Sequence, residues 1–181
     1  MTGLSKKEKT RMTIMHAAKG LFEQYGLDRV TFSQIAESAD VCRTTVFNHF
    51  SDTCELMLAL TFQEVDDARE YCRQAGATGI DLIHTLFDKL IEDAAYYPTL
   101  TSRLINNAIL NSEDENPVKT IEKITLAGLE KKYPQEEAEK LCKLICGAFY
   151  GIINHYHVNN LKFDAGTMKE EFRELLALIL R

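Results

Sequence analysis

Proline is confined to positions 98, 117 and 134, and only nine glycines are spread over 181 residues. Both residue types interrupt helices, so their scarcity suits an all-α chain. Cysteine is odd in number, five thiols at 42, 54, 72, 142 and 146, and no two of them form a C-x-x-C pair. Neither a disulfide framework nor a zinc knuckle is therefore expected, and a reducing cytoplasm is the simplest home. The longest unbroken apolar run, Leu175 to Leu180, is far short of the roughly 20 residues of a membrane span. The polar, basic N-terminus has no apolar stretch behind it, so export and membrane insertion are both unexpected. Catalytic strings are missing as well. G-x-S-x-G, Walker A and H-E-x-x-H do not occur, and the paired E-x-x-H motifs of a di-iron bundle are absent apart from one Asp81-x-x-His84 analogue. His155 and His157, two apart on a helix, do not face one metal. No catalytic residue, metal or cofactor is expected.

What is present is the composition of a soluble globular protein, 45% hydrophobic and 27% charged, long enough for one sizeable core or two small domains. The net charge of -6 argues against nucleic acid, but it is unevenly spread. Residues 1–50 carry seven basic and five acidic side chains, a balance of +2, which leaves -8 for the rest. Such asymmetry is expected if only one end approaches phosphates. Lys6, Lys7, Lys9 and Arg11 precede or open the first helix and could reach along a DNA backbone; a solvated tail is the plainer reading.

Residues 31–50, TFSQIAESADVCRTTVFNHF, read as two short helices joined by a tight corner. Thr31 with Gln34 fits a capping box, and Phe32, Ile35, Ala36 and Ala39 recur at helical spacing. Asp40 falls where the chain must leave the helix, and Asp tolerates the left-handed conformation better than most residues. In the next helix Val46 and Phe50 form the inward pair, which frees Arg43, Thr44, Thr45, Phe47, Asn48 and His49 to point outward. This describes a helix-turn-helix. An ordinary helical hairpin fits the spacing equally well.

A wider pattern separates the two. The run Ala17-Ala18-Lys19-Gly20-Leu21-Phe22-Glu23-Gln24-Tyr25-Gly26-Leu27, then Thr31, Ile35-Ala36, Val41, Thr45-Val46-Phe47, His49-Phe50, Asp52 and Glu55-Leu56, closely resembles the DNA-binding domain of TetR-family transcriptional regulators over about residues 8–57. Three positions depart from the family pattern: Asp40 replaces a usual Gly, Phe47 a usual Tyr, and Thr53 a usual phosphate-binding Lys. The resemblance implies a homeodomain-like three-helix domain over residues 1–52 and a larger helical effector-binding and dimerisation domain over 53–181, about nine helices in all. It further implies a homodimer through the last two helices, with a small molecule bound in the C-terminal domain drawing the two recognition helices out of register.

Along the chain, the first helix is expected from about Ser5 to Tyr25, with a buried stripe of Ile14, Ala17, Ala18, Leu21, Phe22 and Tyr25. Asp52 and Glu55 suggest a second capping box that starts a helix to about Cys72, joining the two domains. Residues 74–79 make the best linker. Further helices are expected over 80–97, 99–111, 117–132, 134–158 and 164–180, with a charged loop at 112–116. In the helix from 134, ten apolar residues from Ala138 to Tyr156, Leu144 and Ala148 among them, spread over roughly 200° of arc, against the roughly 100° that one core contact needs. A second copy of the chain is expected to cover the excess, as in a four-helix bundle. Gly147 and Gly151 would permit close approach there.

The functional expectation is a ligand-responsive regulator, most readily a repressor, that binds double-stranded DNA at a pseudo-palindromic operator as a dimer. Arg43 is the candidate for guanine, Thr44 and Thr45 for phosphate or base edges, and Phe47 for a thymine methyl. Asn48, His49, Thr53 and Thr31 would position the backbone. The effector-pocket candidates are polar or aromatic residues on apolar arcs: His84, Phe87, Asn107, Asn111 and His155. Apolar surroundings favour a hydrophobic or aromatic effector, while Tyr150 and Asn154 project from the polar arc and are expected to be solvated. Two other readings stay open: a helical dimeric adaptor, and a thiol- or metal-responsive protein built on Cys142 and Cys146, neither binding DNA in a sequence-specific way.

Overall fold

The computed structural model describes residues 5–110 and 116–181, and among these it contains nine α-helices and no strand. They are α1 (Lys6–Tyr25), α2 (Phe32–Ser38), α3 (Arg43–His49), α4 (Thr53–Ala75), α5 (Gly79–Tyr96), α6 (Pro98–Leu110), α7 (Pro117–Leu129), α8 (Gln135–Val158) and α9 (Ala165–Ile179). No helix among the described residues is long and apolar enough to cross a membrane. The chain divides into two compact units, Met1–Leu60 and Thr61–Arg181, so the division falls within α4. Residues 74–79 are not the joint between them. Gly76 and Gly79, at φ 66° and 59°, turn the chain from α4 into α5 inside the second unit, and left-handed positions of this kind favour glycine.

In the first unit α1 packs on α2 and α2 on α3 around Ile14, Met15, Ala18, Phe22, Ile35, Val46 and Phe50, all buried. Ser5 caps α1 through a capping box with Glu8, and the amide of Gly26, at φ 81°, donates to Phe22 O as the helix ends. Tyr25 departs from the expected stripe. It is 49% exposed, and Met15 takes the inward place instead. At the last residue of α1 the chain turns away, so helical phase no longer guarantees cover.

In the second unit α5 packs against α6, α7 and α9, and α8 against α6, α7 and α9. Phe87 of α5 lies 5.4 Å from the Phe149 ring of α8 and 4.8 Å from the Phe172 ring of α9, and all three are buried. Truncating such a ring costs about 3–5 kcal/mol. Gly128 lets α7 approach the start of α5, because a Cβ there would lie 2.8 Å from the Gly79 carbonyl oxygen. Tyr156 Oη donates to Glu171 Oε1 at 2.8 Å, tying α8 to α9, and Arg173 of α9 pairs with Asp88 of α5. Burial and then the Glu171 carboxylate push the Tyr156 hydroxyl up to about 12.

Asn116 caps α7 ahead of Pro117, Pro134 precedes α8, and Asp164 caps α9 through Thr167. The wide apolar arc of α8 is mostly absorbed within the unit. Of the ten residues assigned to it, Leu144 is 57% exposed and Ala148 half-buried, and the other eight are buried, because three helices rather than one surround α8.

Candidate nucleic-acid interface

Thr31 sets where α2 begins. Its hydroxyl accepts from the Gln34 amide at 3.3 Å, and its own amide donates to Gln34 Oε1 at 2.8 Å. At the other end Ala39 caps the helix, Asp40 takes φ 52°, and the Val41 amide returns to Ala36 O at 3.0 Å. The corner is a single left-handed residue, held by Asp in place of Gly.

After this corner α3 follows at once, with Val46 and, just past its end, Phe50 buried beneath it. Arg43, Thr44, Phe47 and Asn48 are exposed, and Thr45 and His49 are half-buried. Phe47 is 45% exposed, and its ring lies 5.0 Å from that of Phe32. The Arg43 guanidinium sits over the Phe47 ring, 5.3 Å from its centroid. Thr44 and Thr45 are partly engaged locally. The Thr44 hydroxyl donates to Cys42 Sγ at 3.4 Å, and Thr45 Oγ1 lies 2.9 Å from the same sulfur. These contacts, Thr44 first, lower the exposed Cys42 thiol to about 7. Cys42 was not among the sequence candidates; its position as N-cap of α3 was the available signal.

The C-terminal end of α3 is also held. Arg11 Nη1 donates to His49 O at 2.7 Å, and the Arg11 guanidinium stands 4.1 Å from the Phe50 ring centroid. Arg11 is therefore committed within its own domain, which removes it from the freely reaching basic cluster; Lys6, Lys7 and Lys9 stay exposed. Burial, then the charges of Arg11 and Lys7, hold the His49 imidazole below its usual range. Thr53, the first residue of α4, is half-buried between Asp52 and Glu55. Asp52 Oδ1 accepts from the Glu55 amide at 2.8 Å, and Glu55 Oε2 accepts from Ser51 N at 2.7 Å, so the return arm of the expected box reaches Ser51 rather than Asp52. Two carboxylates thus flank Thr53.

The effector candidates in the second unit differ in their surroundings. Phe87 is wholly inside the core. His84 and Asn107 are half-buried, and Asn111 lies outside the described residues. His155 is exposed and lines an open apolar groove of about 480 Å³ with Leu144, Gly147, Gly151 and Leu175. Tyr150 corrects the expectation of a solvated side chain. Its hydroxyl is buried and, among the described residues, has no hydrogen-bond partner, beside a crevice of about 20 Å³ lined by Ser102, Asn106, Asn154 and His157. Burial pushes this hydroxyl up, helped by Cys146. At 100° per residue Tyr150 lies about 40° from buried Cys146, so it stands at the edge of the buried arc rather than on the polar face. Cys142 and Cys146 are free and buried, and the Cys146 thiol is pushed up by its hydrogen bond with Cys142 and by burial.

Residues 14–60 match the family model of bacterial regulatory proteins, tetR family. Over 54 residues the chain is 37% identical to an uncharacterized HTH-type transcriptional regulator of Mycobacterium tuberculosis, a match covering 30% of this chain and 29% of that protein. The match thus spans under a third of the curated relative's length. Among solved structures, a TetR transcriptional regulator from Rhodococcus sp. RHA1 superposes with a TM-score of 0.72 at 18% identity, covering 97% of this chain and 98% of that one. FadR from Bacillus subtilis, in complex with stearoyl-CoA, gives a TM-score of 0.69 at 17% identity over 91% and 96%. At such identities these likenesses establish the fold, shared across both units. Residues 14–60, which hold the helix-turn-helix, are thus matched in sequence to bacterial regulatory proteins of the tetR family, and the helices of both units are matched in fold to solved TetR regulators.

Proposed function

We propose that the protein is a ligand-responsive, DNA-binding transcriptional regulator that acts as a repressor. It binds a pseudo-palindromic operator as a dimer and leaves it when a small apolar effector enters the second unit. The observation that carries this reading is the face of α3. Arg43, Thr44, Phe47 and Asn48 are exposed on a helix whose other side, at Val46, is buried, within the segment matched to the tetR family. A helix held in this way can enter a major groove and present donors to base edges, with Thr31, Thr45, His49 and Thr53 at its margins for the phosphate backbone.

The groove on α8 supports dimerisation. Leu144 and, on α9, Leu178 are 57% and 54% exposed, and a Cβ at Gly147 or Gly151 would meet nothing within 4 Å among the described residues, so a second copy of α8 has room to approach closely. His155 belongs to this surface. For the effector, the orphaned Tyr150 hydroxyl offers a hydrogen bond to a carbonyl or similar acceptor, with His84 and Asn107 as further polar candidates. The stearoyl-CoA held by the Bacillus subtilis regulator supports an apolar ligand class. The crevice beside Tyr150 has room for about one water molecule, so an effector of that size class requires the helices to part. The regulator reading is favoured over an enzyme by the family, and over a thiol sensor by the burial of Cys142 and Cys146.

Selection of fragments of the source genome by the purified chain tests the proposal. Recovery of a few fragments sharing an inverted repeat, with binding that weakens steeply as salt rises, is expected. Recovery of unrelated fragments in proportion to their abundance contradicts it.

A further inference from the structure

We propose that Phe47 is a positioning residue for base reading: its ring fixes the Arg43 guanidinium in an orientation that addresses one guanine. This inference rests on the DNA-binding reading above. Arg43 and Phe47 are four residues apart on α3, hence on one side of the helix, and the guanidinium stands 5.3 Å from the ring centroid. Phe47 in turn leans on Phe32, with centroids 5.0 Å apart and ring planes inclined at 58°. Phe32 is buried at the first position of α2, within the Thr31–Gln34 capping box. A continuous line of contact therefore runs from the domain core, through an aromatic pair, to an exposed cation.

Two observations make this more than packing. First, among the described residues the Arg43 guanidinium has no hydrogen bond or ion pair, so the ring alone holds it and its N–H fork stays unspent. Arg11 is the contrast: it too lies against a ring, but its fork is committed to the His49 carbonyl. Second, Phe47 is 45% exposed and has no polar atom, so it forms no hydrogen bond to phosphate or base. What it supplies is orientation. An arginine on an exposed helix otherwise loses rotamer freedom when it binds, and a ring that has already restricted it reduces that loss. The planar fork then meets guanine O6 and N7 as a pair.

The test is selection from a randomised duplex pool by the full-length chain, its Arg43→Ala, Phe47→Leu and Phe47→Tyr variants, and the Arg43→Ala, Phe47→Leu double variant, with base preferences read at every position. Arg43→Ala should flatten one guanine preference. Phe47→Leu should weaken that same preference by about two- to fivefold, the range of an exposed cation–π contact. Phe47→Tyr, which keeps the ring, should retain it, and in the Arg43→Ala background Phe47→Leu should add nothing at that position. The proposal is overturned if Phe47→Leu leaves the guanine preference intact, flattens a thymine position instead, or lowers preference equally at all positions. A wild-type chain that shows no preference anywhere overturns the DNA-binding reading itself; a selective wild-type chain with an indifferent Phe47→Leu variant overturns only the role of the ring.

Discussion

The Arg11 guanidinium, on α1, donates to the main-chain carbonyl of His49, the last residue of α3, at 2.7 Å. A carbonyl at a helix C-terminus has no partner within its own helix, and a cation there also meets the negative end of the helix dipole. The contact spans 38 positions of sequence and fixes the seven-residue α3 to the twenty-residue α1. Arg11→Met should lower the stability of the first unit by about 1–3 kcal/mol, combining a charged hydrogen bond with the ring contact to Phe50. Thermal unfolding of the variant measures this, and an unchanged midpoint would show that Arg11 is not structural.

The same contact governs His49. Its imidazole is held below the usual range by burial and then by the charges of Arg11 and Lys7. With the folded pKa below the unfolded one, the unfolded chain binds more protons between the two, so this group reduces stability as pH falls through the ordinary histidine range and has no such effect above it. NMR titration should find His49 below an ordinary histidine, rising in Arg11→Met. A His49 titrating at or above the ordinary value would refute the arrangement.

Cys42 should react early. Hydrogen bonds from Thr44 and Thr45 lower its thiol to about 7, so its alkylation rate should reach half-maximum near that pH. Replacing both threonines by valine should move the midpoint up towards that of a free thiol. Peptide-resolved mass spectrometry after timed iodoacetamide labelling reads this directly, and equal midpoints in the two proteins would remove the threonines as the cause.

Glycines in the second unit should separate by surroundings. A Cβ at Gly128 would lie 2.8 Å from the Gly79 carbonyl oxygen and 3.1 Å from Ile83 Cγ1. Gly128→Ala should therefore cost about 1–3 kcal/mol in denaturant unfolding. Gly147→Ala and Gly151→Ala meet no atom of the described residues within 4 Å and should stabilise the isolated fold by up to about 1 kcal/mol through helix propensity. If a second copy packs there, the same two substitutions weaken self-association in sedimentation equilibrium; an undiminished dimer would place the contact elsewhere.

Tyr150 offers a test of the effector site. Its buried hydroxyl has no partner among the described residues, so Tyr150→Phe should leave stability unchanged or raise it slightly. A loss of effector-induced release from DNA, with DNA affinity intact, supports the proposed role. Full effector response in Tyr150→Phe would exclude it.

Much of this architecture was legible before any coordinates. The capping box at Thr31, the left-handed Asp40, the Val46–Phe50 pair and the helix starts at Pro117, Pro134 and Asp164 all depend on a few neighbouring residues, and local chemistry decides them. Tertiary surroundings decided the rest. Tyr25 sits at the end of its helix and Tyr150 at the edge of a helical face, where phase alone does not say whether a neighbouring helix covers the ring. Arg11 reads as one more basic residue near the N-terminus until α3 is folded beside it. The stack of Arg43 on Phe47 is foreshadowed by their spacing of four, but the support from Phe32 crosses between helices.

The most direct measurement is a titration of the wild-type chain and Arg43→Ala against a duplex recovered by selection and against its scrambled counterpart at one fixed salt concentration. The account predicts a preference of about a thousandfold or more for the selected duplex, largely lost in Arg43→Ala. Equal affinity of the wild-type chain for the two duplexes would contradict it.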